Sequence, residues 1–249
     1  MINIAGIGAN VYDTLISLPT YPTEDTKMRA AFTKVSGGGP CATGLVAAAK
    51  LGASAAYLGS ASDDSASEFL IKDLKKYGVS ADFIAVKQGY RAFSSYIWLC
   101  EDTVSRTCVF DRGNIPPTKL SEEQKQIIRD ADVLMVDGND LDAAVEGAGV
   151  AVSAGTKVLY DAGGLYEGVE RLLPLSDILI PSEEFALGHT GAENAACAAK
   201  ILYDRYSPEV VVITRGKKGG IMFDGTNVTE YPAFTVEAVD SNGSGDVFH

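Results

Sequence analysis

The segment with the clearest capacity for chemistry is Asp240-Ser-Asn-Gly-Ser-Gly-Asp246. Gly243, Ser244 and Gly245 can present consecutive backbone N–H groups at the start of a helix, which makes a preformed site for an anion. Asp246 would project from the first turn of that helix. Phosphoryl transfer needs donors around the migrating phosphoryl group and a carboxylate that takes the proton of the acceptor hydroxyl, and little covalent chemistry besides. The spacing therefore favours a phosphoryl-transfer site over a structural loop.

A second glycine segment, Ser36-Gly-Gly-Gly-Pro-Cys-Ala-Thr-Gly44, separates a predicted strand from an Ala-rich helix. A turn of this kind points backbone N–H groups at a ligand, and glycine allows the ligand to approach closely. It is not a P-loop, because Gly44 is not followed by Lys and then Ser or Thr. Two interpretations remain open from these residues. They are a dinucleotide-binding pattern formed by Gly37, Gly39 and Ala42, and tight packing of the helix on the strand.

The elements that must position these segments follow from hydrophobic patterning. Short apolar runs typical of buried parallel strands occupy 133–136, 157–160, 177–180 and 210–214. Helices are predicted at 140–154, 165–173 and 192–206. Strands that alternate with helices predict an α/β fold with a doubly wound, mostly parallel sheet flanked by helices.

Polar residues follow each of these four strands. They are Asp137, Asp161, the run Ser182-Glu183-Glu184, and the run Thr214-Arg215-Gly216. Ligands of doubly wound sheets bind outside the carboxyl ends of the strands. The pattern predicts one polar edge that holds a ligand, and ordinary exposure of strand ends to solvent is the alternative.

The first 110 residues do not follow the alternation of strands and helices that is predicted for the rest of the chain. Residues 12–18 and 29–35 have mixed faces, and 91–99 with 106–110 form a predicted hairpin. These pieces predict a small β lobe that stands off the main sheet, drawn from about 12–35 and 91–110 and inserted in a single domain that spans 1–249.

The composition excludes several classes of partner. Thirty-three acidic residues against 21 basic ones give a formal charge of −12, which disfavours nucleic acid and anionic membranes. Four cysteines without a CxxC pair and two histidines supply no zinc site. No apolar stretch reaches about 18 residues, and the first residues do not read as a signal peptide. A cytoplasmic protein that binds small molecules is expected.

The two glycine segments together resemble the signatures of the pfkB carbohydrate kinases, the ribokinase-like family. The turn that ends in Asp246 is similar to the signature D-T-x-G-A-G-D. The other segment, which runs into an Ala-rich helix ending at Leu51-Gly52, is similar to the second signature. Further similarity lies in Gly8 to Asp13 and in Thr214-Arg-Gly216. The resemblance covers the whole chain.

The resemblance implies an ATP-dependent kinase that phosphorylates a hydroxyl of a small sugar or sugar-like alcohol, with Mg²⁺ neutralising the phosphates. It implies that the small β lobe, with strands from about 12–35 and 91–110, is a lid that covers the sugar and can form a homodimer contact. The site residues that it implies are Asp246 as general base with Gly243, Ser244 and Gly245 as anion hole, Asp13, Gly38 and Gly39 for the sugar, and Thr214 and Gly216 for the nucleotide.

Three features depart from the family pattern. Ala42 stands where an Asn usually contacts the sugar, so that hydrogen bond is expected to be lost or moved. The N-x-x-E element, tied to magnesium and phosphate, corresponds to Ser182-Glu-Glu-Phe185, with Glu183 or Glu184 as the candidate carboxylate. Family members continue for some fifty residues beyond the position of His249. We therefore expect a loosely held anion hole and a poor kinase.

Two other functions stay open at this point. One is a catalytically inactive sugar- or nucleotide-binding protein on the same fold, and a more distant one is a nicotinamide-dependent enzyme. The identity of the sugar depends on lid side chains such as Tyr96, Trp98 and Arg112, whose directions the sequence does not give.

Overall fold

The computed structural model describes residues 2–236 and 243–249. Its strands are β1 (Ile4–Ile7), β2 (Val11–Leu18), β3 (Phe32–Gly38), β4 (Ala55–Tyr57), β5 (Ser60–Ser62), β6 (Val79–Ser80), β7 (Ala85–Lys87), β8 (Ser94–Cys100), β9 (Ser105–Asp111), β10 (Val133–Val136), β11 (Lys157–Ala162), β12 (Ile178–Pro181), β13 (Val210–Thr214), β14 (Gly220–Phe223) and β15 (Val228–Tyr231). Its α-helices are α1 (Pro40–Lys50), α2 (Ser65–Lys76), α3 (Glu122–Asp130), α4 (Leu141–Ala154), α5 (Glu183–Thr190) and α6 (Ala195–Tyr206).

The larger sheet contains nine of the strands in these described residues, in the order β15-β14-β13-β12-β11-β10-β1-β4-β6. All neighbouring pairs from β6 to β13 are parallel, and β14 and β15 are antiparallel additions at one edge. Residues such as Leu134, Val158, Leu179 and Val211 are fully buried in the middle of this sheet. The prediction of a mostly parallel sheet flanked by helices is confirmed.

A separate four-stranded sheet, here called the lid, has the order β3-β2-β8-β9. Alternate residues of β2, Val11, Asp13 and Leu15, are buried, whereas the residues between them are half-buried. This period of two gives the lid an inner face toward the main sheet and an outer face. By the strand register, Asp13 shares the inner face with Ser95 and Phe110.

The prediction of a helix at 165–173 is wrong. The chain forms two short 3₁₀ turns instead, Val169–Arg171 and Leu173–Leu175. Gly168 adopts a left-handed φ of 82°, and Pro174 lacks the N–H that would continue a helix, so both residues interrupt the regular hydrogen-bonding pattern.

Two helices, α3 and α5, were not predicted, although each begins with a serine cap. The hydroxyl of Ser121 accepts from Gln124 N and that of Ser182 from Phe185 N. Within the described residues no helix is long and apolar enough to cross a membrane.

Candidate active site

The carboxyl ends of β1 and of β10 to β13 lie side by side because these strands are parallel and form a continuous run in the sheet. The residues that follow them therefore meet at one edge. Asp137 and Asp161 occupy the centre of this edge, and both are buried. The polar edge predicted from the sequence exists.

The carboxylate of Asp137 accepts hydrogen bonds from the backbone of three segments that meet at this edge. Its Oδ2 accepts hydrogen bonds from Ala9 N at 2.8 Å and from Cys41 N at 3.0 Å, and its Oδ1 accepts from Asn139 N at 2.9 Å. A Cβ on Gly8 would lie 2.4 Å from the carboxylate, so only glycine permits this approach. Burial raises the pKa of Asp137 despite these donors. Sequence reasoning placed Asp137 at the edge but gave it no function.

Asp13 projects from the inner face of the lid and is also buried. Ser95 Oγ donates to its Oδ1 at 2.6 Å. Its Oδ2 lies against the backbone of Gly38, where a built Cβ would be only 2.0 Å away. Burial raises the pKa of Asp13, while the Ser95 hydrogen bond and the positive charge of Arg106 oppose that shift. Oδ1 of Asp13 is thus held by the Ser95 hydroxyl, and Oδ2 packs against the backbone of Gly38, which has no side chain.

The segment Gly243–Phe248 forms a single turn rather than a regular helix. Val247 N donates to Gly243 O at 3.0 Å, and Phe248 N donates to Gly245 O at 2.9 Å. The carboxylate of Asp246 folds back toward Gly243, since a Cβ on that glycine would lie 3.8 Å from Asp246 Oδ2. The first part of the signature, Asp240 to Asn242, falls outside the described residues.

The turn is held against the main sheet by two contacts. The rings of Phe248 and Tyr231 stack with centroids 5.9 Å apart. His249 Nε2 lies 3.3 Å from Asp161 Oδ1. Burial, followed by the negative charges of Asp137 and Asp246, raises the pKa of Asp161 to about 8. Burial lowers the pKa of His249, which favours its neutral form.

The charges of Asp137, Asp13 and Arg106 all act on the carboxylate of Asp246 at this edge. Burial raises the pKa of Asp246, the charges of Asp137 and Asp13 raise it further, and the charge of Arg106 lowers it. A carboxylate with a raised pKa binds a proton more readily, which suits a general base. Arg106 comes from β9 of the lid, and the sequence did not single it out.

Helix α1 begins beside the turn. Its N-cap, Gly39, has a φ of 91°, and a Cβ there would lie 2.7 Å from Ala9 O. Ala42, the expected place of a lost sugar contact, is buried and donates its N–H to Ala9 O. Thr43 and Gly44 of this helix both approach the turn: Thr43 Cγ2 would lie 3.7 Å from a Cβ on Gly243, and a Cβ on Gly44 would lie 3.4 Å from Asp246 O. Sequence reasoning missed Thr43, which is adjacent to the position considered.

The residues predicted to contact the nucleotide lie farther along the same edge. Thr214 ends β13 and bridges to Ser182 at the end of β12. Gly216 has a φ of 55° with open space where a Cβ would be. Two strand spacings separate β13 from β11, which carries Asp161, and three separate it from β10, which precedes Asp137, or about 10 Å and about 14 Å. Thr214 and Gly216 are therefore at the predicted edge but are not in contact with the carboxylate cluster.

Ser182 to Phe185 does not fit the carboxylate-bearing element of the family. Phe185 occupies the fourth position, is fully buried, and packs edge-on against Tyr160. Glu183 forms an ion pair with Arg215 at 3.3 Å, and Glu184 is exposed. Among residues 2–236 and 243–249, no three His, Cys, Asp or Glu side chains are grouped as metal ligands. No reaction step is therefore assigned to an ion held by this segment.

Asn10 lines two cavities, one at the edge of the main sheet beside the lid and the other between β3 and helices α1 and α2. One, of about 160 Å³, lies against Ala9, Asn139 and the lid residues Phe93 and Arg112. The other, of about 190 Å³, is lined by residues that include Gly38, Thr43 and Asp73. Both adjoin residues of the sugar site that the resemblance implies.

The nine-stranded sheet, the separate lid and the buried carboxylates at the strand ends define a ribokinase-like protein. A profile described as pfkB family carbohydrate kinase matches residues 4–249. The chain belongs to the pfkB family of carbohydrate kinases.

Individual relatives agree with this assignment. The chain is 24% identical over 256 residues to a bifunctional ribokinase/ribose-5-phosphate isomerase A of Fructilactobacillus sanfranciscensis, covering all of this chain and 47% of that protein. It is 25% identical over 257 residues to an ATP-dependent ribose-1-phosphate kinase of Halopiger xanaduensis, covering all of this chain and 82% of the relative. The structure of Arabidopsis thaliana ribokinase complexed with ribose and ATP superimposes with a TM-score of 0.85 at 21% identity, over all of this chain and 84% of that one. This last likeness shows the fold alone.

Proposed function

We propose that the chain transfers the γ-phosphoryl group of ATP to a hydroxyl of a small sugar or sugar-like alcohol. The observation that carries this proposal is that the turn bearing Asp246 approaches the start of α1, near where Gly38 meets Asp13, so that the charge of Asp13 acts on Asp246. A carboxylate that can take a proton and a carboxylate that can bind hydroxyl groups are the two acidic functions that the reaction needs.

In this mechanism Asp13, Gly38 and Gly39 bind the acceptor. Asp13 accepts hydrogen bonds from sugar hydroxyls, and its orientation is set by Ser95. The close approach of the Gly38 backbone to Asp13 leaves a surface without side chains for the sugar ring.

Asp246 then acts as the general base. As the acceptor oxygen bonds to the γ-phosphorus, its proton passes to Asp246, and the bond from that phosphorus to the departing ADP oxygen breaks. Backbone N–H groups of Gly243, Ser244 and Gly245 stabilise the charge on the migrating group. The pKa of Asp246, raised by burial and by neighbouring carboxylates, matches this use as a proton acceptor.

The nucleotide lies along the polar edge in this proposal, with Thr214 and Gly216 at the end farther from the acceptor. Family membership supports ATP as the phosphoryl donor. Mg²⁺ belongs to the proposal as the ion that neutralises the phosphates of bound ATP, without a carboxylate from Ser182 to Phe185.

The test measures ADP release and sugar phosphate formation in the presence of ATP and Mg²⁺ across pentoses, hexoses, polyols and nucleosides. Turnover of at least one acceptor, with loss of turnover in Asp246→Asn, supports the proposal. The alternative, an inactive binding protein, is favoured by the buried Phe185 in place of a carboxylate. Calorimetric binding of sugar or ATP without any phosphorylated product would select it.

A homodimer through the lid is also proposed. Tyr96 and Val109 are cross-strand partners on its outer face and are 50% and 55% exposed. Light scattering should give the mass of a dimer for the unaltered chain and that of a monomer for a Tyr96→Lys, Val109→Lys double variant. A monomeric mass for the unaltered chain contradicts this part.

A further inference from the structure

An exposed arginine directly after β9 of the lid borders the cavity of about 160 Å³ and has no carboxylate partner among the described residues. Arg112 follows β9 and lines this cavity together with Asn10 and Phe93. Within the part of the chain that the structure describes, no acidic side chain lies within 4.0 Å of Arg112, whereas Arg91, nearby on the lid, is paired with Asp111 at 3.1 Å.

Aromatic rings hold the Arg112 guanidinium in place. Its central carbon lies 5.7 Å from the ring centroid of Phe93, 5.9 Å from that of Phe110 and 5.1 Å from that of Tyr166. Such contacts orient an arginine without neutralising its charge, and leave its N–H groups free to donate. Tyr166 belongs to the loop after β11, so the exposed Arg112 side chain bridges the lid and the edge of the main sheet.

Much of the other polar lining of this cavity is already satisfied by the protein. Asp140 accepts from Thr118 N at 3.1 Å, Tyr57 donates to Gly8 O at 2.8 Å, and Ser60 bonds to Thr118 at 2.8 Å. Arg112 makes no hydrogen bond to a described residue, and the same is true of the side-chain amide of Asn10. Arg112 and Asn10 are therefore available to a ligand.

Electrostatics decides which ligand suits Arg112. The chain has a net charge of −12, and the reacting end of the site is lined by Asp13, Asp137 and Asp246. A neutral sugar gains little from a cation in this adjoining cavity, whereas an anionic acceptor that extends into the cavity needs one to offset repulsion by these carboxylates. The planar guanidinium fork matches the oxygens of a carboxylate or a phosphate in a bidentate arrangement.

We propose that the acceptor is an anionic sugar, a sugar acid or a sugar phosphate, whose charged group binds Arg112 at the end remote from the hydroxyl that is phosphorylated. This inference rests on the proposed kinase function and specifies its substrate class. A purely structural role for Arg112, as a clip between the lid and Tyr166, is the competing explanation.

The experiment compares kcat/KM for aldonates, 2-keto-3-deoxy sugar acids and sugar monophosphates with kcat/KM for neutral sugars of the same chain length. The expected result is a preference for one anionic class, the two arms showing whether the carboxylate or the phosphate is recognised. In Arg112→Gln the ratio of anionic to neutral kcat/KM should fall about 10- to 100-fold, the range of a lost charged hydrogen bond. Arg112→Lys should recover only part of the ratio because lysine lacks the fork.

Arg91→Gln is the matched control, since Arg91 is exposed like Arg112 but is paired with Asp111 and does not line the cavity. It should leave the ratio within about twofold. A preference for neutral sugars, or an equal loss for both classes in Arg112→Gln, overturns the inference while leaving the kinase proposal intact.

Calorimetric titration of the same anions without ATP separates the two proposals. If no acceptor is phosphorylated, binding of an anion that weakens about 10-fold or more in Arg112→Gln still supports the Arg112 site, and the kinase proposal alone fails. Absence of anion binding in both assays overturns the Arg112 site as well.

Discussion

Gly38→Ala should disable acceptor binding through Asp13. The new Cβ would lie 2.0 Å from Asp13 Oδ2 and 2.7 Å from its Cγ. Ordinary contact begins near 3.4 Å, so the carboxylate must move by about 1.4 Å. Gly38 does not have a positive φ, and the backbone itself therefore accepts alanine. The steric conflict is confined to a side chain that the proposed function requires.

A displacement of that size strains the 2.6 Å hydrogen bond from Ser95 and removes Asp13 from its position over the site. Misplacement by about 1 Å can cost about 100-fold in rate, so kcat/KM for the acceptor should fall by about that factor. Overpacking should lower the free energy of unfolding by about 1–3 kcal/mol. Initial rates against acceptor concentration and urea unfolding provide the two measurements, and the KM for ATP should change by less than about threefold.

A double-variant cycle tests the cause. In an Asp13→Ala background the conflict is absent, so adding Gly38→Ala should cost less than about threefold in kcat/KM. Gly149→Ala is the control, since nothing lies within 4 Å of its Cβ position in α4, and helix propensity should stabilise the chain by up to about 1 kcal/mol. Full activity of a folded Gly38→Ala variant, or additive losses in the cycle, would refute the reasoning.

Three further changes report on the carboxylates. Asp246→Asn should lower kcat by about two to four orders of magnitude with little change in sugar affinity, and a near-normal rate of this variant contradicts the role of Asp246 as base. In the unaltered enzyme, kcat/KM should fall as pH is lowered through the raised pKa of Asp246, because the base becomes protonated. Asp13→Ala should weaken sugar binding by about 1.5–3 kcal/mol in calorimetry while ATP still binds, and equal loss of both ligands would indicate a structural role. Asp161 has a pKa of about 8 in the fold against 3.8 as its ordinary value, so ionisation disfavours the folded state as pH rises from about 4 to about 8. In urea unfolding, the stability of Asp161→Asn relative to the unaltered chain should therefore increase from pH 5 to pH 8, whereas the exposed control Asp130→Asn should show no such trend; a pH-independent difference contradicts the assignment.

Local features could be predicted because they impose their requirements within a few residues. The run Val210 to Ile213 is continuously apolar, and a buried parallel strand is the structure that such a run favours. Gly39 lies where a strand turns into a helix with a positive φ, a conformation that glycine adopts without strain. The same patterns indicated the family, because both of its signatures are short turns.

Sequence patterns gave wrong or incomplete predictions where individual residues, such as glycine, proline or a capping serine, had more influence than hydrophobic periodicity. The apolar spacing of 165–173 suggested a helix, but the left-handed Gly168 and Pro174 divide the segment into 3₁₀ turns. In Ser182 to Phe185 the sequence left the register open. The structure assigns Phe185 to the core and Glu183 to Arg215, because the serine cap sets the phase of α5.

The alternation of strands and helices, the two glycine turns and most residues of the proposed site could be inferred from the sequence alone. The neighbours of these residues follow from the fold: Ser95 donates to Asp13, 82 positions away, Asp137 accepts from Ala9, 128 positions away, and the charge of Arg106 acts on Asp246. These contacts depend on strand order and on the register between the lid and the sheet. Strand order and register cannot be inferred from short stretches of sequence, because the contacts join residues that are far apart in the chain. The hydrophobic patterns of the separate strands do not specify which strands become neighbours.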